Sequence, residues 1–328
     1  MSLAAGCVPL VEVVRNGFVE SVHHGCVAIT EAGGAVVGAA GNPQTVIFPR
    51  STLKPLQLVA MFDAGLGEHD FTDAEIAVMA SSHSGEDFHT QTVMGIFSKF
   101  DLDSTLLRNT PGWPMDKATR ESLIRGGVDA PAPMYADCSG KHAAMIITSA
   151  LNNWPLDTYR EPSHPLQQLI AARVSEMTGD RVDHIGVDGC GAALFSSTLA
   201  GLARGYSGLM TAADGSSMAR IRNAMRNQPL HVAGTTRDVT ALMRELPGLL
   251  LKDGAEGVLA AGLPDGRAVA LKIADGAARA RSGVLLAALK WMEIDISGVN
   301  PRWIRADVRG GGEIVGYFQT TLNVHGEA

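Results

Sequence analysis

Aromatic residues make up only 5% of this 328-residue chain, and no apolar run reaches the length of a membrane span. Residues 1–7, MSLAAGC, lack the basic start and the apolar run of a signal peptide, so the expected compartment is cytoplasmic. Cysteine is scarce: four residues in a cytosolic chain do not suggest a disulfide framework. Positive charge is also in deficit. The 27 Lys and Arg against 34 Asp and Glu leave a formal net charge of −7, which argues against nucleic acid or an anionic membrane as main partner. Low-complexity tracts and internal repeats are absent. What the chain has instead is 46% hydrophobic residues and 37 glycines, enough for a large core with many tight turns.

The first fifty residues read as antiparallel strands. Val11-Glu12-Val13-Val14, Cys26-Val27-Ala28-Ile29-Thr30 and Ala35-Val36-Val37-Gly38-Ala39 are separated by the hairpin signals Arg15-Asn16-Gly17 and Glu31-Ala32-Gly33-Gly34. From residue 51 to about 245 the pattern is mostly helical, with helices expected over 90–99, 139–151, 165–178, 193–204, 216–227 and 239–244, and 73–80 reading as helix or strand. Strand-like runs return at 248–252, 257–261 and 268–273. A helix over 282–292 and a last strand over 313–318 follow. The expected fold is α+β with mixed layers. One antiparallel sheet comes from both termini (about 8–50 and 246–325), flanked by helices around a helical middle (about 51–245), all in a single unit over residues 1–328. A doubly wound parallel sheet would need strands alternating with helices through the middle.

Five stretches carry candidate chemistry. Arg50-Ser51-Thr52-Leu53-Lys54 spaces a serine and a lysine one helical turn apart at an expected helix start. A serine hydroxyl needs a base to become a nucleophile, and lysine serves once burial or nearby positive charge lowers its pKa. The alternative is a capping serine and a solvated lysine. Ala80-Ser81-Ser82-His83-Ser84-Gly85-Glu86 runs an apolar element into hydroxyls around an imidazole, as a pocket mouth or as a polar turn; His83, Glu86 and His89 fit no tight zinc spacing. Asp137-Cys138-Ser139-Gly140-Lys141-His142 gathers a thiol, an amine and an imidazole at a loop-to-helix junction, and Asp188-Gly189-Cys190-Gly191 puts a second thiol among glycines. These thiols are either buried spectators or two donors converging on one metal. Last, Lys252-Asp253-Gly254 leaves an apolar run. Ser-x-x-Lys, a loop serine and Lys-x-Gly follow in the chain order of class A β-lactamases and penicillin-binding proteins.

With Gly41-Asn42-Pro43, these stretches make the chain resemble the asparaginase II family of the Rhizobium etli type, from about residue 10 to 320. The resemblance implies a serine β-lactamase-like fold and hydrolysis of a side-chain amide, with L-asparagine as the small-molecule substrate. It implies two Ser–Lys couples, Ser51 with Lys54 and Ser82 with Lys252. It also implies a zinc cofactor held by Cys138, Lys141 and Cys190, with Asp188 behind them. A lysine ligand must be neutral, a state that zinc itself would impose. Arg50, His83 and Asp188 are expected on the substrate side, Arg50 orienting a network or the substrate carboxylate. Which serine carries the acyl group stays open. Asp137 stands where the family typically has Asn, and Ala192 where proline or another residue is common; both lie beside the expected metal loops. A homodimer is expected from the family and from the surplus of apolar residues. The rival readings are a glutaminase or other serine amidohydrolase on the same scaffold, and a metal-binding or ligand-sensing protein with inert Ser–Lys pairs.

Overall fold

The protein is described here from a computed structural model that covers residues 3–326. Asn16 and Gly17 both have positive φ, 47° and 80°, the backbone that a two-residue hairpin demands. They join strand β1 (Val8–Arg15) to the long strand β2 (Phe18–Thr30). β3 (Val36–Ala40) follows through the glycine turn and pairs with the far end of β2. The C-terminal part adds β4 (Leu250–Gly254), β5 (Val258–Gly262), β6 (Ala268–Ile273), β7 (Asp307–Gly310) and β8 (Glu313–Thr320). The spatial order is β7-β8-β1-β2-β6-β5-β4, antiparallel throughout, with β3 beside β2 and the two-residue strand His325–Gly326 beside β3. Both ends of the chain therefore build one sheet, as the strand pattern predicts.

Every residue of β4, β5 and β6 is buried. Strand side chains alternate between faces, so this part of the sheet is covered on both sides. The covers include helices α4 (Leu199–Thr211) and α5 (Arg281–Trp291), which both pack on β5 and β6. The other helices used below are α1 (Lys54–Asp63), α2 (Asp73–Met79) and α3 (Ser139–Leu151). Residues 73–80, ambiguous in sequence, are thus mainly helix, fixed at Thr72 by a reciprocal capping box with Glu75. The helix expected over 193–204 is corrected. Ala193–Phe195 is a strand paired with Ile185–Val187, and the helix starts at Leu199 with Thr198 as its N-cap. No helix among the described residues is long and apolar enough to cross a membrane.

Candidate active site

Ser51 is not a capping residue. It sits in a 3-10 turn, Arg50–Leu53, that runs directly into α1 without a side-chain cap. Arg50, just before it, has φ 55°, a left-handed conformation that is uncommon outside glycine and that concentrates at functional sites. Tyr206 of α4 pins the turn from below, its Oη donating to Thr52 O at 2.8 Å. From the other side Gly254, the last residue of β4, approaches so closely that a Cβ there would stand 2.8 Å from Pro49 O and 3.3 Å from Ser51 N. The glycine after Lys252 lets the strand end meet the serine turn.

Lys54, on the first turn of α1, is buried and makes its hydrogen bonds to the Ser81–Ser82 segment. Its Nζ donates to Ser81 O at 2.7 Å and to Ser82 Oγ at 3.0 Å. Lys252, fully buried in β4, donates to the same Ser82 Oγ at 2.9 Å, and to Asp253 O and Oδ1 at 2.7 and 2.9 Å. The lysine lies within the strand rather than at its exit, because β4 runs on to Gly254. The expected couple of Ser82 and Lys252 is formed, whereas Lys54 crosses from Ser51 to Ser82. Two amines thus meet on one hydroxyl. Ser51 and Ser82 line one cavity of about 340 Å³, whose wall also holds Met115, Asp137, Arg237 and Arg281.

The charges around the lysines are arranged in pairs. Asp253 is buried against Lys252 on one side and against Arg237 and Arg281 on the other. Burial opposes its ionisation, but the three cations hold its carboxyl well below the usual carboxylate range. Burial pushes Lys252 down to about 8, with Asp253 resisting and Lys54 adding to the fall. Asp137 Oδ2 stands 3.6 Å from Lys54 Nζ and puts a carboxylate into the cavity wall.

His83, expected on the substrate side, is fully buried and is not among the residues that line the cavity. Its Nδ1 accepts from Gly85 N–H at 3.1 Å, so Nε2 carries the proton and donates to Ser139 Oγ at 2.9 Å. Burial first, then the cationic neighbours, hold it well below its ordinary value, and it is neutral. It fastens the Ser82 loop to the start of α3. Arg50 does not line the serine cavity either; its Nε donates to Asp188 Oδ1 at 2.8 Å, and its wall belongs to a neighbouring cleft.

The thiols converge. Cys138 precedes α3, Lys141 and His142 lie on its first turn, and Gly140 between them packs where any side chain would collide with the Val78 carbonyl of α2. Cys190 comes from a tight turn in which Gly191 N donates to Asp188 O at 2.8 Å. Lys141 Nζ donates to Cys190 Sγ at 3.3 Å, and Asp188 Oδ2 lies 3.9 Å from that sulfur. One donor atom each from Cys138, His142 and Cys190 fall within 4.8 Å of one another. His142 binds Tyr159 Oη through Nδ1 at 2.7 Å, and among the described residues its buried Nε2 has only the Cys190 sulfur nearby and no oxygen or nitrogen partner. The neighbouring Cys138 thiol, with help from Lys141, holds Cys190 far below its ordinary value, and Cys190 together with burial drives Cys138 up. Burial would lower Lys141, but the two sulfurs override it and its pKa rises. Burial brings His142 down to about 4, leaving it neutral. Two sulfurs, an imidazole with a buried nitrogen and an amine form a donor set that suits zinc.

Asp253, Arg237, Arg281, His142 and Tyr159 are the residues that sequence reasoning did not assign. His142 stands inside the Cys-Ser-Gly-Lys-His stretch and Asp253 inside the Lys-Asp-Gly stretch, so adjacency was the available signal. Arg237 and Arg281 reach the site from helix starts and carried none.

The sequence pattern of the L-asparaginase II family matches residues 11–320. The chain belongs to the L-asparaginase II family. It is therefore an amidohydrolase acting on a small-molecule amide. No curated protein matches it. Among solved structures it is similar to a Bacillus glutaminase (10% identity, TM-score 0.42, covering 83% of this chain and 92% of that one). It is also similar to a β-lactamase from Mycobacterium bovis (14%, 0.38, 81% and 94%) and to a hydrolase with promiscuous acyltransferase activity (12%, 0.38, 90% and 90%).

Proposed function

We propose that this member of the family hydrolyses the side-chain amide of L-asparagine to L-aspartate and ammonia, through an acyl-enzyme on Ser51. The observation that carries the reading is the meeting of Lys54 Nζ and Lys252 Nζ on Ser82 Oγ, at 3.0 and 2.9 Å, in the wall of a cavity that also exposes Ser51. Ser82 is buried and held by both amines, which suits a hydroxyl that passes protons. Ser51 is only half-buried and makes no hydrogen bond to either lysine, which suits the group that attacks.

In the first step the Ser51 proton leaves through the cavity to Ser82 and a neutral lysine, and Oγ bonds to the amide carbon. The negative charge on the amide oxygen is received by backbone N–H groups at the start of the Ser51 turn, where a helix leaves donors unbonded. The relay then returns the proton to nitrogen, the C–N bond breaks and ammonia departs. Water attacks the ester by the reverse proton path and releases the acid. A free amino-acid amide carries an ammonium and a carboxylate, and the wall offers both signs: Asp137 for the first, Arg237 for the second.

Cys138, Lys141 and Cys190, with His142 Nε2, are the residues that would hold zinc. Bound there, the ion supplies a fixed positive charge beside Asp188 and ties the Cys190 turn to α3. Asp188 in turn holds Arg50 next to Ser51, so the cluster sets the position of the serine turn.

Ammonia release tests the reading, with L-asparagine and L-glutamine run side by side. Equal rates on both would move the substrate to a broader class of side-chain amides. Release from neither would end the asparaginase reading.

A further inference from the structure

A second cleft of about 370 Å³ opens beside the serine cavity, where the turn Ala278–Ala280 and the start of α5 meet the short helix Pro301–Ile304 and strands β1 and β8. Four arginines line it, Arg237, Arg279, Arg281 and Arg302, with a single carboxylate, Asp238. Arg237 and Arg281 are already answered by acids: Arg237 pairs with Asp253, and Arg281 lies 3.4 Å from Asp253 and 3.6 Å from Asp238.

Arg279 and Arg302 are not. Among the described residues neither makes an ion pair. Arg279 gives Nε to His23 Nε2 at 3.0 Å and lies over the Phe318 ring at 5.2 Å, and Arg302 lies over the Trp303 ring at 4.3 Å. Asp275 is near enough to feel Arg279, but its carboxylate is bonded to His23 Nδ1 at 2.7 Å. In a chain of net charge −7, two guanidinium groups are thus held at one cleft with their outer N–H groups unspent. The wall adds two buried donors without partners among the described residues, Arg281 Nε, on a residue only 7% exposed, and Trp303 Nε1. A buried donor left unpaired is costly, and an acceptor that reaches it relieves that cost. Val11, Ile304 and Phe318 give the wall apolar surface, beside the hydroxyls of Thr236, Ser282 and Thr320.

We propose that this cleft is a second ligand site, for a small organic carboxylate with a short apolar body. The carboxylate lies between the guanidinium forks of Arg279 and Arg302, whose planar donors match its two oxygens. The body packs on Trp303 and Phe318. The site does not depend on which amide the serine cavity accepts.

The test is isothermal titration calorimetry of the full chain with 3-phenylpropionate and with its uncharged amide, 3-phenylpropionamide. Arg279→Gln and Arg302→Gln are run singly and together. Both residues are exposed and neither lines the serine cavity, so the variants report on this cleft alone. The acid is expected to bind at one site per chain, the amide at least tenfold more weakly, and the double variant to bind the acid at least tenfold more weakly than wild type. Absence of acid binding at millimolar concentration overturns the proposal. So does equal binding of acid and amide, or binding undiminished in both single variants and the double.

Discussion

Lys252 Nζ lies 2.9 Å from Ser82 Oγ and 2.9 Å from Asp253 Oδ1, so one buried amine is shared between the hydroxyl whose proton it can take and the carboxylate that sets its charge. Burial holds this lysine at about 8, and only the neutral form accepts a proton. The sign follows: below that value the ammonium dominates and turnover falls. The rate of amide hydrolysis is expected to rise through pH 8 and then level. In Asp253→Asn the anion that favours the ammonium is gone, so the rising limb moves to lower pH. A pH–rate profile of both proteins checks this, and an unmoved limb would remove Lys252 from the relay.

The two serines are separable by the size of their effects. Ser51→Ala removes the group that forms the acyl bond, and turnover is expected to fall to background. Ser82→Ala removes a proton carrier, with an expected loss of about 10²–10⁴-fold in kcat. Steady-state ammonia release measures both, and the reverse ranking would make Ser82 the nucleophile.

The bonds of His83 to Gly85 N–H and Ser139 Oγ predict a structural role. His83→Phe leaves the Gly85 N–H and the Ser139 hydroxyl buried without their partner. Each such group costs about 1–3 kcal/mol, so urea unfolding should show a loss of that order or somewhat larger. KM of the folded fraction should stay near wild type. A raised KM with unchanged stability would restore the histidine to the substrate side.

Zinc should stabilise the fold through the thiol cluster. A ligand that binds only the native state at 100 times its Kd adds about 2.7 kcal/mol. Differential scanning fluorimetry is expected to show a higher Tm with zinc than with chelator in wild type, and no difference in Cys138→Ser/Cys190→Ser. Equal melting of wild type under both conditions would mean that the cluster is not a metal centre.

The sheet was legible because its signals are local. Asn16-Gly17 dictates a hairpin, and the apolar runs Val11–Val14 and Cys26–Thr30 mark β1 and the buried end of β2. The mistaken helix over 193–204 shows the limit of the same method. Ala193-Leu194-Phe195 is an apolar run too short for periodicity to separate strand from helix, and its pairing with Ile185–Val187 decided it. The site was legible as a set of residue types but not as a wiring diagram. Ser51 and Lys54 advertise a couple by their spacing, yet the lysine spans a separation of 28 residues to reach Ser82. Arg281 meets Asp253 only because α5 packs on the sheet that carries β4. Contacts of that kind are made by tertiary packing and leave no periodicity to read.

Ammonia release from L-asparagine by wild type and Ser51→Ala is the most direct measurement. The account predicts release by wild type that disappears in the variant, whose Lys54, Ser82 and Lys252 are intact. Release that persists in Ser51→Ala, or its absence from wild type supplied with zinc, would contradict it.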